Sequence, residues 1–316
     1  MTQSLQQIID ALRAAAEPTR LRLLAICSEG ELTVSEITHI VNQSQPRVSR
    51  HLKLLCNAGL LDRFREGHFV LYRAAPRGDT ANLVDHILGM VDPQDEQMDV
   101  DRHRMEKIKA ERARRAADFL RFNSEDWARL READVADSEI NRIIVDMIDT
   151  SDVGDLIDIG TGTGRMLKLL GRHAESAVGI DISPDMLAVA RSNLHAAGLG
   201  KVMVRRADMY GLPYPDASFD TVTMDHVLYQ ADDPPRAVRE AARILRPGGQ
   251  LLLVEFAMRE RDNGHQDNPG VSDDDLASWC HAANLDCDEF RHIDGQSFSV
   301  VLTVARKKRL ERTAVA

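Results

Sequence analysis

The chain has 316 residues, with 40 Lys and Arg against 50 Asp and Glu and a formal net charge of -10 at pH 7. That length accommodates two domains with separate cores, and 43% hydrophobic residues beside 28% charged ones exclude a disordered or fibrous chain. The acidic balance excludes a chain that clings to nucleic acid along its whole length, and no stretch approaches the ~18 uninterrupted apolar residues of a membrane span.

The N-terminus lacks the basic segment and apolar run of a signal peptide, so the expected location is the cytoplasm. Cys27, Cys56, Cys280 and Cys287 form no Cys-x-x-Cys pair. They read as reduced thiols, with Cys27 and Cys56 as small buried hydrophobes rather than a thiol switch. Charge is uneven along the chain: residues 1–76 carry 9 Lys and Arg against 7 Asp and Glu, and the remainder 31 against 43.

In chain order, helical periodicity fills residues 5–60. Pro18 suits a helix's first turn, a Leu21, Leu24 and Ala25 stripe gives that helix a buried face, and Gly30 ends it. Thr33 with Glu36 is a capping box opening a second helix, whose inward face is Ile37, Ile40 and Val41. After a turn at Asn42, Ser44 is a cap for a third helix with Pro46 in its first turn and Val48, Leu52 and Leu55 inward.

That spacing leaves Gln45, Arg47, Ser49, Arg50 and His51 outward near the third helix's start, where a recognition helix meets base edges in the major groove. Arg pairs with guanine and Gln with adenine, while Ser49 and Lys53 suit phosphate oxygens. Two short strands follow, LLDRFRE and HFVLYRA, joined at Glu66-Gly67, with Arg63, Arg65 and His68 near the tip. A basic hairpin in this position is a wing that reaches phosphates or the minor groove.

The segments EPTRLRLLAIC, ELTVSEI and QSQPRVSRHLKLLCNAGLL resemble the ArsR family of bacterial repressors over about residues 5–76. The resemblance implies a winged helix-turn-helix that binds double-stranded operator DNA as a homodimer, pairing through the helices at about Leu5 to Ala16 and Ala81 to Val91. Metal-sensing members carry cysteines in the segment that reads ELTVSEI here. Thr33 and Ser35 stand there instead, so no metal is expected and His39 and His51 read as ordinary residues.

Residues 77–139 form a connecting and dimerising helical segment in this reading. Asp101 to Arg131 holds 10 Lys and Arg against 6 Asp and Glu, with Met105, Ile108, Phe119 and Trp127 at near-helical spacing. A solvated helix docking through those few apolar residues is expected, rather than a DNA-touching arm.

From about residue 140 to 308 the pattern changes. Short apolar runs at Leu156 to Ile159, Ala177 to Ile180, Phe219 to Met224 and Leu251 to Val254 alternate with helix-length segments, as in a doubly wound parallel sheet. Residues 309–316 read as a tail. Directly after the first run comes Gly160-Thr-Gly162-Thr-Gly164, ahead of a helix at Arg165 to His173. Glycines keep side chains away from a ligand lying on the backbone, and the helix start offers free N–H groups. The next strand, AVGI, ends in Asp181, 21 residues after Gly160, an offset that suits the two hydroxyls of a ribose.

The alternating glycines with Asp158 before them, together with GIDISPDML, RRADMYGLPYPDASFD, TMDHVLYQADDP and ILRPGGQLLLVEF, resemble the class I S-adenosylmethionine (SAM) dependent methyltransferases of UbiE type over about residues 140–306. The resemblance implies that Gly160, Gly162 and Gly164 line the methionine and ribose part of SAM or S-adenosylhomocysteine (SAH). It further implies that Asp181 holds the ribose, Asp208 and Met209 frame the adenine and Ile182 packs on its ring. Asp158 and Asp225 complete the candidate ligand set. Asp208 follows the strand KVMV, at the carboxyl end of the sheet where ligands of open α/β sheets sit. Pro247-Gly248-Gly249 reads as a turn into the strand Gln250 to Glu255, and the final strand as about Ser297 to Ala305.

Asp225, His226 and Tyr229 follow the strand FDTVTM at the mouth of the expected pocket. Methyl transfer needs alignment above all and no obligatory base. His226 could deprotonate an acceptor hydroxyl, but the sequence offers no partner to orient it, so an ordinary loop role is the expected one and His226 stays a weak catalytic candidate. Two functions therefore stand side by side: a DNA-binding regulator, with a repressor expected, whose second domain senses SAM or SAH, and an active methyltransferase on a small molecule with an accessory or autoregulatory winged helix. A DNA methyltransferase is disfavoured, because TMDHVLY lacks the Asn/Asp-Pro-Pro-Tyr/Phe type of motif that grips a flipped base.

Overall fold

The computed structural model describes residues 4–66, 69–75, 79–92, 94–122, 137–200, 202–258, 270–287, 289–295 and 299–309. The chain divides into two compact units, residues 1–115 and 116–316.

The first unit opens with α1 (Leu5–Ala15), started by a reciprocal Ser4–Gln7 capping box. Pro18 begins α2 (Pro18–Ser28), capped by the Glu17 side chain. The buried face of α2 is wider than its Leu21, Leu24 and Ala25 stripe: Leu23, Leu24, Ile26 and Cys27 are the buried hydrophobics, because α2 is packed on several sides. The Thr33–Glu36 capping box forms as its spacing predicts and opens α3 (Val34–Val41). Asn42 turns the chain in the left-handed region, at φ 52°, a conformation Asn tolerates.

Ser44 takes the cap position of α4 (Gln45–Asn57), although its hydroxyl makes no capping bond. The wing pairs β2 (Leu61–Glu66) with β3 (Phe69–Ala74) in antiparallel register from Leu61↔Ala74 to Glu66↔Phe69. A short β1 (Leu32–Thr33) that no sequence signal marked adds to β3.

Two further helices, α5 (Asp79–Gly89) and α6 (Glu96–Phe122), follow the wing. The first part of α6 belongs to the core of this unit. Met105 is buried with Leu23, Ile37, Leu52 and Leu55, and Asp101, 1% exposed, receives Arg22 Nε at 2.6 Å and Nη2 at 2.8 Å. Arg104 donates to the Ile40 carbonyl, and Arg112 grips Glu36 with two bonds of 2.7 and 2.6 Å. The basic residues of α6 thus include three, with Lys109 on Glu29, that tie it to the helix-turn-helix, as a docked helix rather than a free arm. Phe119 and Trp127 lie outside the described side chains.

The second unit has α7 (Asp137–Met147), then β4 (Asp155–Ile159), α8 (Arg165–Leu170), β5 (Ser176–Asp181), α9 (Pro184–Ala196), β6 (Met203–Arg206) and β7 (Phe219–Asp225). A single turn at Leu228–Gln230, α10 (Pro234–Ile244), β8 (Leu245–Ala257), α11 (Asp273–Ala282), β9 (Leu285–Asp286), β10 (Phe290–Asp294) and β11 (Ser299–Lys307) complete it. The sheet order is β10-β11-β8-β7-β4-β5-β6, with β9 on β11.

Strands β8, β7, β4, β5 and β6 run parallel, while β11 and β10 are antiparallel. The sheet is therefore mixed rather than wholly parallel as expected, a Rossmann-like α/β core whose last two strands are joined by a short connection and pair antiparallel at one margin. Ile157, Ile159, Val222, Leu251 and Leu253 fill one face, and Leu156, Leu252, Val254 and Leu302 the other, all at 0% exposure. Burial on both faces is why these strands read as unbroken apolar runs. The chain leaves β4 toward β5 on one side and returns to β7 on the other, so the ends of β4 form the crevice where open α/β sheets bind ligands.

Candidate nucleic-acid and nucleoside sites

On α4, Val48, Leu52 and Leu55 are wholly buried, and Gln45, Arg47, Ser49, Arg50 and Lys53 are exposed. His51 departs from the outward set. It is half-buried, with Nδ1 3.6 Å from the Glu17 carboxylate at the start of α2, because its position on α4 lies beside the buried Leu52 and faces the neighbouring helix. Arg63 and Arg65 are exposed on β2, alternating with the inward Phe64 as the pleat requires. His68 lies outside the described residues. A helix N-terminus carrying an amide, two arginines and a hydroxyl, next to a basic hairpin, presents donors to phosphates and base edges. Cys27 is buried and burial pushes its thiol up, so it is an inert core residue. Among the described residues, no group of three or more His, Cys, Asp or Glu could hold a metal ion.

In the second unit, Gly160, Gly162 and Gly164 take φ of 69°, 50° and 82°, the left-handed region open to glycine. A Cβ on Gly160 would fall 2.5 Å from Val227 Cγ2, so the loop after β4 sits tightly against the loop after β7. Asp181, at the end of β5, accepts the Gly162 N–H at 2.9 Å and the Ser183 N–H at 2.8 Å, one on each carboxylate oxygen. These bonds aim the carboxylate over the glycine loop and leave lone pairs for two ribose hydroxyls.

Ile182 follows with 64% of its surface exposed, an aliphatic side chain left open beside that carboxylate. Asp208 is exposed two residues beyond β6 and accepts the Tyr210 N–H, and Met209 is half-buried. The strand before them is Met203–Arg206, slightly later than KVMV. A carboxylate, an apolar platform and a glycine loop around the ends of β4, β5 and β6 fit a nucleoside.

Asp158 is buried beneath the loop, bonded to Thr161 Oγ1 at 2.6 Å and Thr223 Oγ1 at 2.7 Å. Burial pushes its carboxyl up to about 7 against the pull of the two hydroxyls. It braces the glycine loop from below. Asp225, a candidate ligand residue in the sequence, has charged protein neighbours. Arg165, the first residue of α8, grips both its oxygens at 2.8 and 2.9 Å, and His226 Nδ1 stands 2.7 Å from Oδ1. Burial alone would raise this carboxyl, but Arg165 and His226 outweigh it and hold it well below the usual range. Arg165 also donates to Asn141 on α7 at 2.8 Å.

His226 has the orienting partner that the sequence did not reveal. Its backbone is left-handed, at φ 55°. Glu255, at 0% exposure near the end of β8, accepts the N–H groups of Val227, Leu228 and Tyr229 at 2.9, 2.7 and 3.4 Å. Burial lifts the Glu255 carboxyl to about 7, opposed by His226 and those N–H groups. Arg165, Asn141 and Glu255 are the residues sequence reasoning missed. The available signals were an arginine directly after the last glycine and a lone acid in the apolar strand LLLVEF.

Residues 17–63 match the family model described as bacterial regulatory protein, arsR family, and residues 157–253 match the model of a methyltransferase domain. The chain thus carries an ArsR-type helix-turn-helix segment and a methyltransferase-type domain. Demethylmenaquinone methyltransferase from Thermus thermophilus is 41% identical over 103 residues, 32% of this chain and 46% of that protein. Phosphatidylethanolamine N-methyltransferase from Cereibacter sphaeroides is 37% identical over 109 residues, 34% of this chain and 53% of the relative.

UbiE, a ubiquinone/menaquinone biosynthesis C-methyltransferase from Pseudoalteromonas translucida, is 37% identical over 112 residues, 34% of this chain and 44% of its own length. The chain therefore spans about half the length of the curated relatives it matches. Among solved structures, the [4+2]-cyclase SpnF aligns with 54% of this chain and 81% of its own at a TM-score of 0.49 and 21% identity. No helix among the described residues is long and apolar enough to cross a membrane.

Proposed function

We infer that the protein is a DNA-binding transcriptional regulator whose methyltransferase domain binds SAM and SAH, so that ligand state alters operator affinity. The observation that carries the reading is the join itself: one polypeptide holds a helix-turn-helix and a methyltransferase-type domain whose glycine loop is bonded to Asp181. Gln45, Arg47, Ser49, Arg50, Lys53, Arg63, Arg65 and His68 serve the DNA. Gly160, Gly162, Gly164, Asp181, Ile182, Asp208 and Met209 serve the nucleoside, with Asp158 supporting the loop and Asp225, held by Arg165, beside it.

A homodimer is part of this reading. Leu5, Ile8 and Leu12 recur at three- and four-residue spacing on α1 with 76%, 38% and 45% of their surface exposed, an apolar stripe that a second copy would cover. The second reading, turnover of a small-molecule acceptor, draws support from the same crevice and from its methyltransferase relatives. SAM supplies an activated methyl group there; the chain's own residues bind, orient and exclude water.

Titration of SAH into the full chain, wild type against Asp181→Ala, tests the crevice. Loss of two charge-assisted bonds to the ribose is expected to weaken binding at least 30-fold, about 2 kcal/mol. Equal affinities for the two proteins would overturn the assignment of the site.

A further inference from the structure

His226 is held more firmly than a connecting loop requires. A non-glycine residue in the left-handed region costs about 1 kcal/mol or more and persists only where its surroundings impose it. Here the His226 N–H donates to the Val254 carbonyl at 2.7 Å, while Glu255 fixes the next three backbone N–H groups. Phe256 meets the imidazole edge-on, with ring centroids 4.4 Å apart. Asp225 takes Nδ1 and is itself clamped by Arg165. The ring is thus fixed in position and plane, and a proton held at Nδ1 against Asp225 would leave Nε2 as the acceptor; among the described residues no hydrogen bond reaches Nε2. The loop that carries it contacts the glycine loop through Val227 against Gly160.

We propose that His226 is the proton acceptor of a methyl transfer to a hydroxyl-bearing acceptor, with Asp225 as its positioning residue. The inference rests on the ligand-binding reading above and favours turnover over sensing alone. The acceptor oxygen forms the new bond to the methyl carbon as the carbon–sulfur pair returns to sulfur, and the hydroxyl proton passes to Nε2 and from there to water. Asp225 stabilises the resulting imidazolium. An amine that arrives unprotonated could shed its proton to water after transfer. A phenol or enol gains most from a base placed in advance, because its oxygen becomes a strong nucleophile only as the proton leaves.

The test uses the full chain. Modification by diethyl pyrocarbonate, mapped by mass spectrometry, reads the accessibility of Nε2, and two-dimensional 15N NMR of the imidazole reads the tautomer. His226 is expected to react in the free protein and to be protected at least tenfold by saturating SAH, with Nε2 at an unprotonated shift that Asp225→Ala abolishes. With labelled SAM and catechol as the probe, wild type is expected to form the methyl ether. His226→Asn, which tolerates the left-handed backbone, should lose at least 100-fold in rate with SAH affinity changed less than threefold.

Equal reactivity with and without SAH, a protonated Nε2, or undiminished transfer by His226→Asn would overturn the proposal. A chain that binds SAH and protects His226 yet methylates no phenol would refute the hydroxyl acceptor. Failure to bind SAH at all would strike the ligand reading instead.

Discussion

Removing the Glu255 carboxyl should destabilise the second unit by an amount that depends on pH. Glu255→Ala orphans the N–H groups of Val227 and Leu228 and the longer-bonded one of Tyr229. At about 1–3 kcal/mol for each buried unpaired group, and less for the longest, the cost is roughly 3–5 kcal/mol near pH 5. The wild-type carboxyl is raised to about 7 from 4.5. Its stabilising contribution is fully present below the unfolded value and is lost as pH rises through 7, a loss of roughly 3 kcal/mol.

The penalty of Glu255→Ala should therefore shrink by roughly that amount between pH 5 and pH 8. Glu255→Gln keeps a carbonyl acceptor and should stay within about 1 kcal/mol of wild type at pH 5, with the pH dependence removed. Urea unfolding in a Trp127→Phe background, reporting from Trp279 on α11, measures both. An Ala penalty that is equal at the two pH values, or a Gln variant as weak as the Ala one, would refute the reasoning.

Asp158→Asn should likewise flatten the stability curve of the second unit between about pH 4 and 7, the window set by its carboxyl at about 7. A slope unchanged from wild type in urea midpoints would contradict that origin. Gly160→Ala, with φ 69° and a Cβ 2.5 Å from Val227, should cost about 1–2 kcal/mol of stability. It should also weaken SAH binding at least tenfold in a calorimetric titration; undiminished affinity would show that the loop yields freely. Asp101→Asn leaves the Arg22 cation buried without its partner charge and should cost the first unit roughly 3–5 kcal/mol. Hydrogen exchange in α3 and α4 reads that loss, and unchanged protection there would show that α6 is not part of this unit's support.

Features written in local spacing were legible: the Thr33–Glu36 capping box, the inward Val48, Leu52 and Leu55 of α4, the glycine loop and Asp181 at the end of β5. Each is fixed by residues within a turn or one strand of one another. Features made by distant residues were not. Arg165 reaches Asp225 across 60 positions and Arg22 reaches Asp101 across 79, so neither pair leaves a pattern in its own neighbourhood. His51 was misread because helical spacing places a residue on a face without saying which neighbour covers that face. Asp225 drew a candidate ligand role from its place at a strand end, and its bonds to Arg165 and His226 left no mark in that spacing.

The central claim is that one chain couples operator binding to SAM or SAH. Fluorescence anisotropy with a duplex from the gene's own upstream region, at fixed salt and with saturating SAM, SAH or neither, tests it most directly. The account predicts a change in DNA affinity of tenfold or more with one of the ligands, about 1.4 kcal/mol of coupling, matched by an equal effect of DNA on that ligand's affinity. It also predicts loss of binding on Arg47→Ala with Arg50→Ala. A DNA affinity that neither ligand moves would contradict it.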